Sequence, residues 1–154
     1  MPSADLICDC IWEIILAHAR EWERSGRELW TLGGGKKAKT FRIVEVTDDY
    51  LRMSALPSDK YSKEIFCRAV RLLYERGESG AELRPTKTSS PIPGTIDHAV
   101  RPPKPGGKVP PMRATWVGAI LVHAGIATVV KRRPITIRLK DKYLRLKKPR
   151  QSDV

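Results

Sequence analysis

Between Pro85 and Pro111 the chain carries eight prolines, and no helix or sheet ladder can run through such a stretch. Each proline fixes φ, lacks an N–H donor and pushes the residue before it out of helical conformation. Five threonines and serines and three glycines fill much of the rest of residues 86–111, where neither a 2-residue nor a 3.6-residue apolar period survives. The segment is expected to be an extended loop or a linker, and loops of this length inside small domains are usually functional or disordered. Regular elements are therefore expected before residue 86 and after residue 111.

Upstream of the break, Ser3 to Arg24 carry a helical pattern. Leu6, Cys10 and Ile14, with Ile11, Ile15, Ala19 and Trp22, recur at three- and four-residue spacing, while Asp9, Glu13, Arg20 and Glu23 take the other side. Ser3 suits an N-cap, and Ser25-Gly26 ends the helix. Trp30 and Leu32 lead into Gly33-Gly34-Gly35-Lys36-Lys37. That run lacks the spacing and the strand-to-helix context of a phosphate-binding P-loop, so it reads as a solvated turn. Thr40–Val46 and Tyr50–Leu56 alternate around Thr47-Asp48-Asp49, which predicts a β-hairpin. After Pro57-Ser58-Asp59, a second amphipathic helix is predicted from Tyr61 to Arg76, with Ile65, Phe66, Ala69, Val70, Leu72 and Leu73 as its stripe and Gly77 as its stop. Ala81–Arg84 can make one further helical turn before Pro85. Downstream, Arg113–Ala124 is helical, with Val117, Ile120, Leu121 and Ala124 on one side. Ile126–Val130 and Ile135–Leu139 are β-branched runs joined by Lys131-Arg132-Arg133-Pro134, a second hairpin with a basic tip.

These elements predict the α+β class. A chain of 154 residues fits a single small globular domain, here residues 1–140, followed by a basic tail at 141–154. Residues 1–57 hold a helix and a hairpin; residues 58–140 hold the remaining elements with the proline-rich insertion at 86–111. Three cysteines, Cys8, Cys10 and Cys67, are too few and too spread for a disulfide framework and match no zinc spacing, so reduced thiols in a reducing compartment are expected. The N-terminal apolar run is broken by Asp5, Asp9 and Glu13, unlike a signal peptide. No run approaches the roughly 18 apolar residues of a membrane span. The expectation is a soluble protein with no membrane partner, cytoplasmic or nucleoid-associated.

The charge of +12 matters less than its location. Residues 1–98 hold 15 Lys/Arg against 15 Asp/Glu, whereas residues 99–150 hold 14 Lys/Arg against the single acid Asp141. A surface of one sign attracts polyanions and releases their counterions on contact, so the partner expected is DNA or RNA.

The order of helix (61–76), short helix (81–84), helix (113–124) and hairpin (126–139) resembles the winged helix-turn-helix DNA-binding superfamily, which makes residues 58–140 winged-helix-like. Element order and the basic wing tip Lys131, Arg132 and Arg133 carry the resemblance. The chain departs from the usual short turn between the second and third helices, which here holds the proline-rich segment. The resemblance implies that the third helix enters the major groove, with Arg113, Thr115 and Trp116 near its N-terminus meeting base edges. The wing cations would then lie along phosphates. Arg101, Lys104 and Lys108 on the loop, and Lys142, Arg145, Lys147 and Lys148 in the tail, would add sequence-independent affinity.

No zincin, nucleophile-elbow, dinucleotide-binding or EF-hand motif occurs, and His18, His98 and His123 each stand alone. The chain is read as non-enzymatic, with no cofactor and no metal. The other function class consistent with the basic loop and tail is an RNA-binding or ribonucleoprotein assembly protein, whose cationic segments order on RNA. A protein partner within a nucleic-acid-processing complex is a third.

Overall fold

The computed structural model describes residues 4–33, 38–85, 91–101 and 112–145. Helix α1 (Ala4–Ser25) buries Ile7, Cys8, Ile11, Trp12, Ile15, Leu16, Ala19 and Trp22. Its inner face is rotated from the predicted one, leaving Leu6 and Cys10 exposed. Trp12 accounts for the rotation. Its ring packs against Phe66 with centroids 5.7 Å apart, and its indole N–H donates to the Asp48 carbonyl at 2.9 Å. A large amphipathic side chain with a buried partner outweighs the smaller Leu6 and Cys10.

After α1 come two short paired strands, β1 (Leu29–Trp30) and β2 (Thr40–Phe41), and then an antiparallel meander of β3 (Ile43–Val46), β4 (Tyr50–Met53) and β5 (Leu56–Ser62). The predicted hairpin is β3–β4. Strand β5 occupies residues read as a turn and the start of a helix. Pro57 fits there because β5 lies at the edge of its sheet, where a missing donor costs no ladder bond. Tyr61 faces inward, fully buried, and helix α2 (Lys63–Arg76) begins only after it. Ser62 caps α2 by accepting from the Ile65 N–H, and Gly77 ends it at φ +58°.

Cys8 on α1 and Cys67 on α2 are disulfide-bonded, with Cα atoms 5.4 Å apart and a sequence separation of 59. This corrects the expectation of reduced thiols. The pairing partner is invisible in the sequence because it depends on how the two helices cross.

Residues 81–84 are not the predicted helical turn. Ala81–Glu82 is strand β6, and the Leu83 N–H continues the pairing by donating to the Ile135 carbonyl at 2.9 Å. Gly80 makes the approach possible: at φ +69° a Cβ there would lie 2.2 Å from the Ile137 carbonyl oxygen. The short helix instead falls inside the segment predicted to be loop, as α3 (Ile96–Val100). Thr95 caps it by accepting from the His98 N–H, and Ile96 and Val100, one turn apart, are both buried.

Helix α4 (Ala114–His123) leads through Gly125 into β7 (Ala127–Arg132), β8 (Ile135–Leu139) and the short helix α5 (Asp141–Leu144). The three-stranded sheet has the order β6-β8-β7, all antiparallel. One buried apolar cluster extends from Ile7 to Tyr143, so every helix contributes to the same core. The architecture is α+β. Among the described residues no helix is long and apolar enough to cross a membrane.

Candidate nucleic-acid interface

The second hairpin forms where it was predicted. Ala127 pairs with Leu139, Thr128 with Arg138, Val129 with Ile137, Lys131 with Thr136 and Arg132 with Ile135, with a bulge at Val130. Paired residues share a face of a sheet. Ile137 and Leu139 are fully buried and turn one face to the core. Lys131, Thr136, Thr128 and Arg138 share the other face. Val130, Thr128, Arg138, Lys140 and Asp141 line a shallow open groove on it.

Lys131, Arg132 and Arg133 at the tip are exposed, as are Lys140, Lys142 and Arg145 beyond β8. Among the described residues none of these six is held in an ion pair. The Lys142 ammonium sits 5.1 Å from the centre of the Tyr143 ring, an exposed cation–π contact. Asp141, the acid of this region, is paired with Arg138, whose guanidinium also donates to the Leu139 carbonyl. At the opposite sheet edge, Glu82 is paired with Arg84 at 2.6 Å. Asp141 and Glu82 are thus matched, and among the described residues no acid is paired with the tip cations. The Arg133–Pro134 peptide at the tip is cis.

Two predicted contacts have other roles. Arg101 is 3 % exposed and ion-paired at 2.8 Å with Asp97, which is 0 % exposed. It cannot reach a phosphate without leaving a buried carboxylate behind. Arg113 is held by both carboxylate oxygens of Asp59, at 2.9 and 3.1 Å, and also donates to the Val100 carbonyl. Its guanidinium lies 5.9 Å from the centre of the Tyr61 ring. Burial, reinforced by the Asp59 carboxylate and only partly offset by Arg113, pushes the Tyr61 phenol far above its ordinary range.

Arg101 and Arg113 stand at the two ends of residues 102–111, the inner part of the proline-rich segment. Each end is clamped to the domain, Arg101 by Asp97 within α3 and Arg113 by Asp59 on β5. The insertion therefore does not undock the helices it joins. Lys104 and Lys108, and Lys147 and Lys148 in the tail, lie outside the described residues.

The expected base-reading end of α4 is also occupied. Thr115 is half-buried, and Trp116 meets Phe41 edge-on with centroids 5.4 Å apart. His123 Nε2 lies 2.8 Å from the Trp30 carbonyl oxygen. The β1–β2 pair packs along α4, and the Leu83 and Leu32 side chains lie close against Gly118. The apolar composition of α4 pointed to this, since a helix without a polar stripe is usually covered all round.

Sequence reasoning missed Lys140. Its signal was the alternation of Thr136, Arg138 and Lys140, which continues the outer face of β8 past the strand end. No group of three or more His, Cys, Asp or Glu that could hold a metal occurs among the described residues.

The chain matches no protein-family model, no curated protein and no solved structure.

Proposed function

We propose that this chain is a nucleic-acid-binding protein, a winged-helix-like DNA-binding module whose wing is the β7–β8 hairpin. The observation that carries the reading is the group of exposed cations Lys131, Arg132 and Arg133 at one hairpin tip, none of which is held in an ion pair among the described residues, while Asp141 and Glu82 are engaged by Arg138 and Arg84. Such a tip keeps its charge for a polyanion, because among the described residues no ion-pair partner has to be displaced first. Supporting it, the order helix, short helix, helix, hairpin is present as α2, α3, α4 and β7–β8, with β6 added to the hairpin as a third strand. Lys140, Lys142 and Arg145 extend the charge from the hairpin toward the basic tail. DNA is accessible in the cytoplasm or at the nucleoid, which favours those sites, whereas the Cys8–Cys67 disulfide favours an oxidising setting.

A titration of the full chain against short DNA duplexes tests this. Replacing Lys131, Arg132 and Arg133 together by alanine is expected to weaken binding far more than replacing Lys36, Lys37 and Lys39. Equal losses, or a larger loss from the second set, would remove the wing from the interface.

A further inference from the structure

We infer that the protein contacts the phosphates of double-stranded DNA through the hairpin and the turn after it, without sequence preference, and that α4 does not enter the major groove. The inference rests on the nucleic-acid reading above and specifies its mode. A helix that reads base edges needs a polar face free to enter a groove roughly 12 Å wide. None of the ten residues of α4 is exposed. Only Thr115, Trp116 and His123 among them carry polar side-chain atoms, and Trp116 and His123 are packed against Phe41 and the Trp30 carbonyl. Lifting the β1–β2 pair would free only Trp116 and His123, because the remaining seven residues have no hydrogen-bonding side-chain groups to offer a base. Just before the helix, Arg113 is spent on Asp59.

The hairpin offers what α4 lacks. On its outer face Lys131 stands level with Thr136, Arg138 comes two residues further along β8, and Lys140 two beyond that. Arg138 is held by Asp141, so the available cations on this face are Lys131 near the tip and Lys140 beyond the strand, about 13 Å apart at strand rise. Arg132 ends β7 opposite Ile135 and Arg133 follows in the turn, and both are exposed. Phosphate contacts of this kind position a protein on a duplex and carry no sequence information.

A duplex is favoured over a single strand by the absence of a stacking platform. Single-strand binders set aromatic rings beside their cations so that bases can stack. Among the described residues of this region the one aromatic ring is Tyr143, which is 6 % exposed and lies under the Lys142 ammonium.

Fluorescence anisotropy of the full chain tests the mode, using DNA duplexes of unrelated sequence, single strands of the same length and an RNA hairpin, each over a range of salt. Affinities for the duplexes are expected to agree within about threefold and to exceed those for single strands and the RNA hairpin at least tenfold. The triple alanine variant at Lys131, Arg132 and Arg133 is expected to weaken all duplexes about tenfold or more. It should also flatten the slope of log affinity against log salt by about three. Thr115→Ala is expected to change neither quantity. A tenfold preference for one duplex that disappears in Thr115→Ala overturns the inference, and so does tighter binding to the single strands or the RNA hairpin. Failure of the underlying nucleic-acid reading looks different: no probe binds at low salt.

Discussion

Arg101 and Arg113 at the ends of the proline-rich segment, and Lys131, Arg132 and Arg133 at the hairpin tip, come from the same acid-poor third of the chain and meet opposite fates. The first two are buried or nearly so, each held by a carboxylate contributed from residues 1–98. The other three are exposed and, among the described residues, held in no ion pair. A surplus of positive charge in a sequence is therefore two populations. Cations beside apolar elements are drawn into the domain and need a partner, because a buried unpaired charge is costly. Cations at the tip of a hairpin stay in water and remain available to something else.

The sharpest way to break this contrast is to unpair Arg101. Asp97→Ala leaves a guanidinium buried without its carboxylate, and a loss of about 3–5 kcal/mol in unfolding free energy is expected from chemical denaturation. A loss below about 1 kcal/mol would mean that Arg101 finds water, which would return it to the population of the tip cations.

Next in size is the link between α1 and α2. Reducing the Cys8–Cys67 disulfide, or replacing both cysteines by serine, is expected to cost about 2–4 kcal/mol, since a long loop is released in the unfolded chain. DNA affinity of the folded fraction should not change, because the disulfide joins two helices and includes none of the exposed hairpin cations. A parallel loss of affinity would couple the N-terminal helix to the interface.

Arg113→Met should cost about 2 kcal/mol, as two charge-assisted hydrogen bonds to Asp59 disappear from a partly buried position. The folded variant is expected to bind DNA as well as the parent. Weaker binding at unchanged stability would restore Arg113 as a contact.

Tyr61→Phe is expected to be neutral or to stabilise by up to about 1 kcal/mol, because its buried hydroxyl has no hydrogen-bond partner among the described residues. The folded phenol titrates above the unfolded one, so its contribution is complete below about pH 10 and is lost as pH rises further. Denaturation at alkaline pH should show a decline in the parent that is shallower in Tyr61→Phe. Identical alkaline profiles would refute the burial argument.

The smallest effect on stability, within about 0.5 kcal/mol, is expected for the triple alanine variant at the hairpin tip, which carries the largest effect on binding. A clear destabilisation would show that those cations have internal partners, and the contrast between the two populations would collapse.

Much of the fold was legible in the residues. The long N-terminal helix, the β3–β4 hairpin, α2, α4 and the basic hairpin all follow from apolar period and turn chemistry, which are local. The errors share a cause. Residues 81–84 became a strand because Gly80 lets the chain approach Ile137, a contact between positions far apart in sequence. Helix α3 was hidden by the prolines around it, although Thr95, Asp97 and Val100 held a cap, an acid in the first turn and an apolar residue one turn on. Strand β5 looked like a turn because Pro57-Ser58-Asp59 is turn-rich, and its neighbour β4 supplied the pairing that local chemistry did not.

By itself the sequence determined which segments are periodic, where regular structure stops, and that the last third carries charge without acids to match it. These are properties of neighbours along the chain. Tertiary structure alone decided that Cys8 meets Cys67, that Asp59 and Asp97 claim Arg113 and Arg101, and that the β1–β2 pair covers α4. Each of those depends on which distant surfaces come into contact. A cation near an apolar core is stabilised only by a partner brought there by folding, and one at a hairpin tip keeps the solvent it had before.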